Sequence, residues 1–261
     1  MAKAKTALHS LRTKMSSLVA PWKPLLFSHI STLNPPTITL ATISYSPPDL
    51  PRLRTVIFRG FFGSLPPNDQ NHATRNPQVY ESNMLTFTTD TRMEKVRELG
   101  GGEGGGEVEC CFWSSDVQMQ WRVRGVCWML GGKEEREEKA RREVEKGLER
   151  RGDAGGEDAG NWSFDREVTA HFGNLSPFMR GTFRSPPPGT PRIPNADGSL
   201  PDEEGGLRLG QEVHDLEDRV ARENFRVGVI VPRWVERLDL TGRRTAWEAG
   251  NGGWEEREVW P

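Results

Sequence analysis

The sequence predicts a mainly β fold with flanking helices, an α+β protein built around a small antiparallel β-barrel. Short segments rich in β-branched and aromatic residues recur along the chain and are bounded by Gly, Pro or Asn, which is the pattern of strands. These segments are 37–45, 53–61, 84–89, 108–114, 118–130, 225–231, 235–240 and 254–259. Tight connections between several of them favour antiparallel pairing, and about six strands of this length can close into a small barrel.

Helical patterns flank these strands. Residues 18–33 can form an opening helix that is interrupted by Pro21 and Pro24. After the strand at 84–89, Val96 and Leu99 continue at helical spacing, so the chain enters a second helix near Thr91. The glycine run at 100–106 indicates a flexible linker before the next strand.

Composition indicates one domain, 15–261, that carries two insertions. The chain has 261 residues, 34% of them hydrophobic, which suffices for one core, while 28 glycines and 19 prolines imply long loops. The first insertion, 131–160, contains a charged helix at 133–146 whose acidic and basic residues pair at i,i+4. Only Ala140, Val144 and Leu148 make an apolar stripe, so we expect a weakly held helix with a solvated face. The second insertion is a Pro/Gly loop at 184–210.

Net charge, hydropathy and residue spacing argue against several classes of function. The formal charge of −2 and the pI near 6.3 give no cationic field for nucleic acid. No apolar run approaches the length of a membrane span. The five histidines lack metal-ligand spacing, so no metal site is predicted. The three cysteines include no Cys-x-x-Cys motif, which favours reduced thiols in an intracellular compartment.

An anion site is predicted where two strand-like segments carry fixed cations and hydroxyl groups. Within 54–59 the two arginines, Arg54 and Arg59, leave opposite faces of an extended strand because side chains alternate. Val56 shares the face of Arg54, and Thr55 shares that of Arg59. One guanidinium can pair with a phosphate in a forked geometry, and the other can point at a substrate or at the polar edge of a ring.

The second segment, 85–95, lies where a strand runs into a helix. Thr88 and Thr89 supply hydroxyl groups, while Arg92 and Lys95 place two cations at the helix start, where free backbone amides also favour an anion. Either segment alone is also compatible with an ordinary strand whose arginines lie in water. Together, and in this order, the two segments favour a phosphorylated cofactor with a flat aromatic ring.

These segments resemble the flavin mononucleotide (FMN)-binding split barrels related to pyridoxamine 5'-phosphate oxidase. The resemblance covers most of the chain from Ala20 to Pro261 and is strongest in 54–60, 85–95, 113–125 and 224–242. In the third stretch Gln120 stands five residues before Gly125, as in the family's strand that reaches the flavin ring. The resemblance implies an antiparallel split β-barrel that binds FMN noncovalently, and a homodimer that holds the flavin between its subunits.

The same resemblance implies roles for individual residues. Gln120 would hydrogen-bond the polar edge of the ring, the segment 54–59 would run beside the flavin, and residues of 85–95 would hold the phosphate. The implied cofactor-binding residues are Arg54, Thr55, Val56, Arg59, Thr88, Thr89, Arg92, Lys95 and Gln120. On the substrate side, 174–180 resembles the helix over the family's active site and implies Ser176 and Arg180, with Arg243 as a third candidate. The alternative for 174–180 is a helix end with an exposed arginine.

Departures from the family pattern affect the substrate side most. Arg59 stands where the oxidases have a lysine, which keeps the charge but changes its geometry. Their Arg-x-His motif falls at 243–245, where this chain has no histidine. A flavin-flanking tryptophan falls near Leu240, and a Gln-Ser pair falls in the Pro-rich stretch 186–189. Oxidation of vitamin B6 therefore does not follow from the resemblance.

The function expected from these observations is an FMN-dependent oxidoreductase that passes a hydride or an electron pair between a small substrate and the flavin. If the substrate carries the phosphate of vitamin B6, Arg59 and Arg243 would pair with it. No side chain is an evident general base, so no catalytic residue is predicted. The main alternative is a flavin-binding module without turnover, acting as a sensor, a carrier or an assembly protein. A more remote alternative is a barrel that has lost its cofactor and acts through its charged helix.

The first residues are compatible with two cellular locations, the cytoplasm and the mitochondrion. No Asp or Glu precedes Asp49, while Leu8, Leu11 and Met15 lie on one face of a helix, as in a mitochondrial presequence. Residues 15–22, however, read like the beginning of the family's own sequence. We therefore expect 1–14 to be an N-terminal extension of a cytoplasmic protein, with a mitochondrial location as the alternative.

Overall fold

The computed structural model describes residues 19–44, 49–100, 105–132, 135–151, 160–191, 193 and 211–261. The expected N-terminal extension 1–14 lies outside the described residues, as do 101–104 of the glycine linker and most of the Pro/Gly loop 184–210.

Ten strands make up most of the regular secondary structure of the described residues. They are β1 (Thr37–Ser44), β2 (Leu50–Ile57), β3 (Tyr80–Glu81), β4 (Leu85–Asp90), β5 (Gly106–Ser114), β6 (Met119–Leu130), β7 (Glu149–Arg150), β8 (Phe225–Asp239), β9 (Arg244–Gly250) and β10 (Gly253–Val259). The main sheet has the order β10-β9-β8-β6-β5-β1-β2, and β4 pairs with β8. All of these pairings are antiparallel. Strands β3 and β7 form a separate pair.

The barrel is split between β2 and β4. Past the end of β2, the Arg59 amide donates to the Thr86 carbonyl at 2.8 Å, and the Thr86 amide donates to the Gly60 carbonyl at 2.9 Å. The Phe62 amide then donates to the Met84 carbonyl at 2.9 Å. These bonds come from the chain beyond β2 rather than from a continuous ladder between the two strands. The predicted small antiparallel split β-barrel with flanking helices is therefore confirmed.

Short helices flank the sheet. They are α1 (Lys23–Ile30), α2 (Glu94–Gly100), α3 (Glu135–Glu145), α4 (Phe164–Gly173), α5 (Pro177–Gly181) and α6 (Arg219–Asn224), with a 3-10 turn at Thr182–Arg184. Helix α2 follows β4 directly, as the sequence predicts. The Ser163 side chain accepts from the Arg166 amide at the start of α4, and Asp218 accepts from the Ala221 amide at the start of α6. These N-caps fix where the two helices begin.

Two hydrophobic cores lie on opposite faces of the sheet. The barrel interior holds residues such as Ile38, Leu40, Phe87, Trp121 and Val235, together with Leu26 and Ile30 of α1. The outer face of β4 and β8 packs against the helices through a second cluster that includes Val168, Phe172, Phe225, Val227 and Val229. Alternation along each strand divides the side chains between these two environments. The side chains of the candidate site are likewise divided between the two faces of the sheet.

The charged helix is attached more firmly than the sequence indicates. Ala140 and Val144 are 3% and 0% exposed and belong to the second core. Glu137, on the same helix, is buried and accepts two hydrogen bonds from Arg141, at 2.9 Å and 2.7 Å. The expectation of a weakly held helix was therefore wrong. A narrow stripe of small apolar residues is enough to bury one face when the neighbouring sheet also presents an apolar face.

The C-terminal strands also differ from the expectation. Segments 225–231 and 235–240 form one long strand, β8, in which Pro232 pairs opposite Gly125 where the register shifts. A Cβ at Gly125 would lie 2.1 Å from the Val231 carbonyl oxygen, so the two strands approach there only because glycine is present. Strand β9 and helices α4 and α6 were not predicted, because their apolar residues alternate with charges without a clear period.

Candidate functional site

Arg54 lies at one end of the barrel and faces the interior. It shares this inward face with Val56 and Phe58, as strand alternation predicts. Its Nη2 donates to Oε2 of Glu98 on α2 at 2.5 Å, and its Nη1 donates to the Thr42 hydroxyl. The guanidinium is therefore held by a carboxylate and a hydroxyl from two neighbouring elements.

Lys95 brings a second cation to the same end of the barrel. Its Nζ donates to the Thr89 hydroxyl at 3.2 Å. Burial lowers the pKa of Lys95, and the nearby Arg54 lowers it further, while Asp90 and Glu98 act in the opposite direction. The ammonium is thus partly desolvated beside another cation. An anion placed between the two would remove that cost, and Arg54, Thr89 and Lys95 form the cluster that we call the barrel-end cluster.

Arg92 forms its hydrogen bonds outside the barrel-end cluster. Its Nε and Nη2 donate to the two carboxylate oxygens of Asp90 at 2.9 Å and 2.6 Å. Its Nη1 donates to the Ser185 carbonyl at 2.9 Å, and its Nη2 also contacts the Phe183 carbonyl at 3.3 Å. All three nitrogens are therefore engaged, and Arg92 ties the β4–α2 turn to the chain after α5. A phosphate would have to replace one of these bonds.

Arg59 leaves the opposite face of the chain from Arg54, as predicted. Its Nε is buried and has no partner among the described residues, and burial lowers the pKa of its guanidinium. Close by, His171 on α4 is 1% exposed, and neither ring nitrogen makes a hydrogen bond to a described residue, while Nε2 lies 3.9 Å from Oε1 of Glu167. Burial, together with the charges of Arg59 and Arg75, lowers the pKa of His171 to about 3. This neutral, buried histidine was not singled out from the sequence.

The remaining residues of the two strand segments lie near these groups but in different environments. Val56 is 8% exposed and packs in the barrel core, so its side chain is not available to a cofactor. Thr55 is exposed on the other face of β2. Thr88 alternates with the buried Phe87 and is half-buried on the outer face of β4. Of the predicted phosphate ligands, only Thr89 and Lys95 share a hydrogen bond.

Gln120 lies far along β8 from the predicted cofactor residues of β4. It pairs with Leu238 on β8, whereas Thr88 pairs with Val227 on the same strand. At about 3.3 Å per residue, the intervening part of β8 spans roughly 35 Å. Gln120 is therefore distant from Thr88 and Thr89 along this strand. It is nearer to Arg54, because the strand registers align Arg54 with Val123, three residues from Gln120 on β6.

The substrate-side candidates are dispersed. Ser176 caps α5 by accepting from the Met179 amide at 3.2 Å, and the buried Arg180 lies 5.8 Å from the centre of the Phe172 ring. Arg243 is exposed and pairs with Glu258 at 3.2 Å. Thr245, where the family has a histidine, is buried and accepts from Arg237 at 3.2 Å. No hydrogen bond or ion pair in the part of the chain described connects these residues to the barrel-end cluster.

Two carboxylates belong to the site and were missed. Glu98 holds Arg54, and Asp90 holds Arg92. A helical reading of α2 would have placed Glu98 next to Lys95, three residues earlier, and so could have marked Glu98. Nothing in the local sequence connects Glu98 to Arg54, since they lie 44 residues apart.

The donor set of the barrel-end cluster fits a phosphate group. Arg54, Lys95 and the Thr89 hydroxyl are donors of the kind that phosphate oxygens accept from, and a phosphate would have to compete with Glu98 and Thr42 for Arg54. Metal sites present a different pattern, and no group of three or more His, Cys, Asp or Glu side chains in the described ranges is placed to hold a metal ion. Among the helices described, none is long and apolar enough to cross a membrane.

Comparisons of sequence and structure show which known proteins this chain resembles. Residues 19–131 match the family model for the FMN-binding domain of pyridoxamine 5'-phosphate oxidase. A crystal structure of a pyridoxamine 5'-phosphate oxidase-related, FMN-binding protein from Nostoc punctiforme PCC 73102 is 21% identical, with a TM-score of 0.58, and the match covers 93% of this chain and 99% of that one. The structure of PhzG from Burkholderia lata 383, in complex with tetrahydrophenazine-1-carboxylic acid, is 14% identical, with a TM-score of 0.48 and coverages of 92% and 89%. A comparison with curated protein sequences returns no match.

The matched region includes β1, β2, β4, α2, β5 and β6, and with them every residue of the barrel-end cluster. The likeness to the Nostoc protein extends over nearly the whole length of both chains. The resemblance drawn from the sequence is confirmed: residues 19–131 match the FMN-binding domain model of pyridoxamine 5'-phosphate oxidase, and the chain has the split-barrel fold of the Nostoc protein.

Proposed function

We propose that this protein binds FMN noncovalently and acts as an oxidoreductase on a small substrate. The observation that carries the proposal is the meeting of Arg54, Thr89 and Lys95 at the barrel end, inside the region that matches an FMN-binding domain. In this proposal Lys95 and Arg54 anchor the phosphate, and Thr89 orients the Lys95 ammonium. The flavin, when bound, supplies the redox chemistry, while the protein supplies anchoring, orientation and exclusion of water.

The proposed cofactor site is completed by a second copy of the chain. Gln120 lies far along β8 from Thr88 and Thr89, and the family resemblance implies that the flavin is held between two subunits. Closed two-fold assemblies are the commonest way in which two copies complete each other's sites. We therefore propose a homodimer in which Gln120 of one copy faces the ring anchored by the other. Size-exclusion chromatography with light scattering tests this, and a flavin-loaded monomer would contradict it.

A second candidate function is flavin binding without turnover. It is favoured by the substrate side, where Thr245 replaces the family's histidine and is buried against Arg237, while Arg243 pairs with Glu258 in solvent. A sensor, carrier or assembly protein would keep the barrel-end cluster and lose these residues. Bound flavin that oxygen or a reductant cannot turn over with any tested substrate would favour this candidate.

The proposed partners are a small-molecule substrate and a second copy of the chain, and the proposed location is the cytoplasm. The three cysteines are free thiols, as expected in a reducing compartment. The mitochondrial alternative depends on residues 1–14, and imaging of the full-length chain with a C-terminal tag would separate the two compartments.

The experiment that tests the proposed function begins with the purified, flavin-free chain. Titration with FMN should quench flavin fluorescence with a stoichiometry of one per chain, and riboflavin should bind more weakly because it lacks the phosphate. Measuring oxygen consumption with pyridoxamine phosphate and with other oxidisable amines then tests whether the bound flavin turns over a substrate. Failure to bind FMN would refute the proposal, whereas binding without turnover would favour the second candidate.

A further inference from the structure

Glu98 is a largely buried carboxylate that contacts Arg54 of the barrel-end cluster, and the proposed function gives it no role. Its side chain is 8% exposed. Oε2 accepts from Nη2 of Arg54 at 2.5 Å and from the Thr42 hydroxyl at 2.6 Å. Oε1 lies 4.0 Å from Nε of Arg52, whose side chain is 47% exposed. Glu98 therefore neutralises Arg54, and its other oxygen makes a longer, more exposed and more weakly stabilising pair with Arg52.

We propose that Glu98 is the resident counter-ion of the phosphate site, occupying Arg54 while the site is empty and opposing the phosphate when FMN binds. The inference rests on the proposed function. A phosphate oxygen that accepts from Nη2 of Arg54 must share or displace the position now held by Oε2 of Glu98. Because both groups are anionic and Glu98 is buried, their repulsion is screened less than at the surface.

The same contacts give Glu98 a stabilising role in the empty protein. Without it, Arg54 and the partly desolvated Lys95 would lie beside each other with a single formal anion, Asp90, acting on Lys95. Breaking a buried pair by removing one partner leaves an uncompensated charge, which is costly. Glu98 thus stabilises the flavin-free chain and weakens the hold on the phosphate.

This dual role makes opposite predictions for stability and for binding. Glu98→Gln keeps the shape and the ability to accept from Arg54 and Thr42, but it removes the negative charge. The flavin-free variant should unfold at a lower temperature than the wild type. Its Kd for FMN should nevertheless fall about tenfold, which corresponds to about 1.4 kcal/mol. Its Kd for riboflavin, which carries no phosphate, should not change.

A matched control lies one turn earlier on the same helix. Glu94 is exposed, and it does not contribute to the pKa shift of Lys95, whereas Glu98 does. Glu94→Gln makes the same chemical change and should leave both flavin affinities within twofold of the wild type. The fluorescence titrations with FMN and riboflavin are run on the flavin-free wild type, Glu98→Gln and Glu94→Gln, and thermal unfolding is measured without ligand.

The inference is overturned if Glu98→Gln binds FMN no more tightly than the wild type, or if riboflavin binding tightens by the same factor. If Glu98→Gln does not fold, Glu98→Asp decides, because it keeps the charge but withdraws it from Arg54 by one methylene. That variant should bind FMN two- to threefold more tightly, and equal or weaker binding overturns the inference. A wild type that binds no FMN would refute the proposed function as well, whereas a wild type that binds FMN normally confines any failure to Glu98.

Discussion

Replacing Lys95 by methionine tests the phosphate assignment with little disturbance of the fold. The two side chains have similar length, and methionine adapts readily to irregular apolar surroundings. The change removes the Nζ bond to Thr89 at 3.2 Å and one of the two cations of the barrel-end cluster. Because burial and Arg54 both lower the pKa of Lys95, the ammonium is held at a cost in the flavin-free protein. Thermal stability without flavin should therefore be unchanged or higher.

The affinity for FMN should move in the opposite direction. A hydrogen bond between two charged groups contributes about 1.5–3 kcal/mol, so losing the Lys95 contact should raise the Kd for FMN by roughly tenfold to a hundredfold. Riboflavin binding should change by less than about twofold, since the vitamin has no phosphate for Lys95 to bind. The assay is fluorescence titration of the flavin-free protein with each ligand.

Lys146→Met provides a control with the same chemistry at a remote, exposed position on the far side of α3. The Lys146 side chain is 68% exposed and, among the residues that the structure describes, pairs with Glu143 on the surface. Two results for Lys95→Met would refute the assignment. One is an FMN affinity equal to that of Lys146→Met, and the other is an equal loss of FMN and riboflavin binding, which would place Lys95 beside the ring.

Three further predictions concern the fold and its titrating groups. A Cβ at Gly228 would lie 2.4 Å from the buried Phe87 ring, so Gly228→Ala should lower the free energy of unfolding by about 1–3 kcal/mol in urea, whereas Gly252→Ala, with no neighbour within 4 Å, should change it by less than about 0.5 kcal/mol. The pKa of His171 is about 3 in the folded chain and ordinarily 6.5, so as the pH falls the histidine is protonated in the unfolded chain before it is protonated in the folded one. Its contribution to stability should be complete above pH 6.5 and should decline by about 1.4 kcal/mol per unit as the pH falls toward 3, and His171→Phe should flatten that part of the acid-unfolding curve. Burial raises the pKa of Cys110 and Cys127 and leaves only Cys111 partly exposed, so a thiol reagent should modify at most one cysteine in the native protein and all three after denaturation; two fast-reacting native thiols would contradict this burial.

The sequence predicted the barrel strands well because their apolar residues alternate over complete strands. Strands β1, β4, β5 and β6 begin and end within two residues of the predicted segments. The break expected between 231 and 235 does not occur, because Pro232 lies at a bulge opposite Gly125 rather than in a turn. The attachment of α3 to the sheet was not predicted. Ala140 and Val144 contribute little to the mean hydropathy of such a charged helix, although both are buried.

The candidate site was predictable in its residue types but not in its pairing. Alternation correctly placed Arg54 and Arg59 on opposite faces, and the start of α2 correctly carries Lys95 beside Thr89. Which acid each arginine contacts depends on strand register and helix placement, so neither Glu98 for Arg54 nor Asp90 for Arg92 could be read from local sequence. The distance of Gln120 from Thr88 and Thr89 likewise follows from its position along β8.

Identification of the flavin retained by the purified wild-type chain tests the central claim most directly. The visible spectrum shows whether flavin is present, and chromatography after acid denaturation shows which flavin it is. If Arg54 and Lys95 grip a phosphate, the chain should carry FMN and should prefer it to riboflavin when offered both. A colourless chain that binds neither ligand, or one that takes both equally well, would mean that these two side chains hold no phosphate.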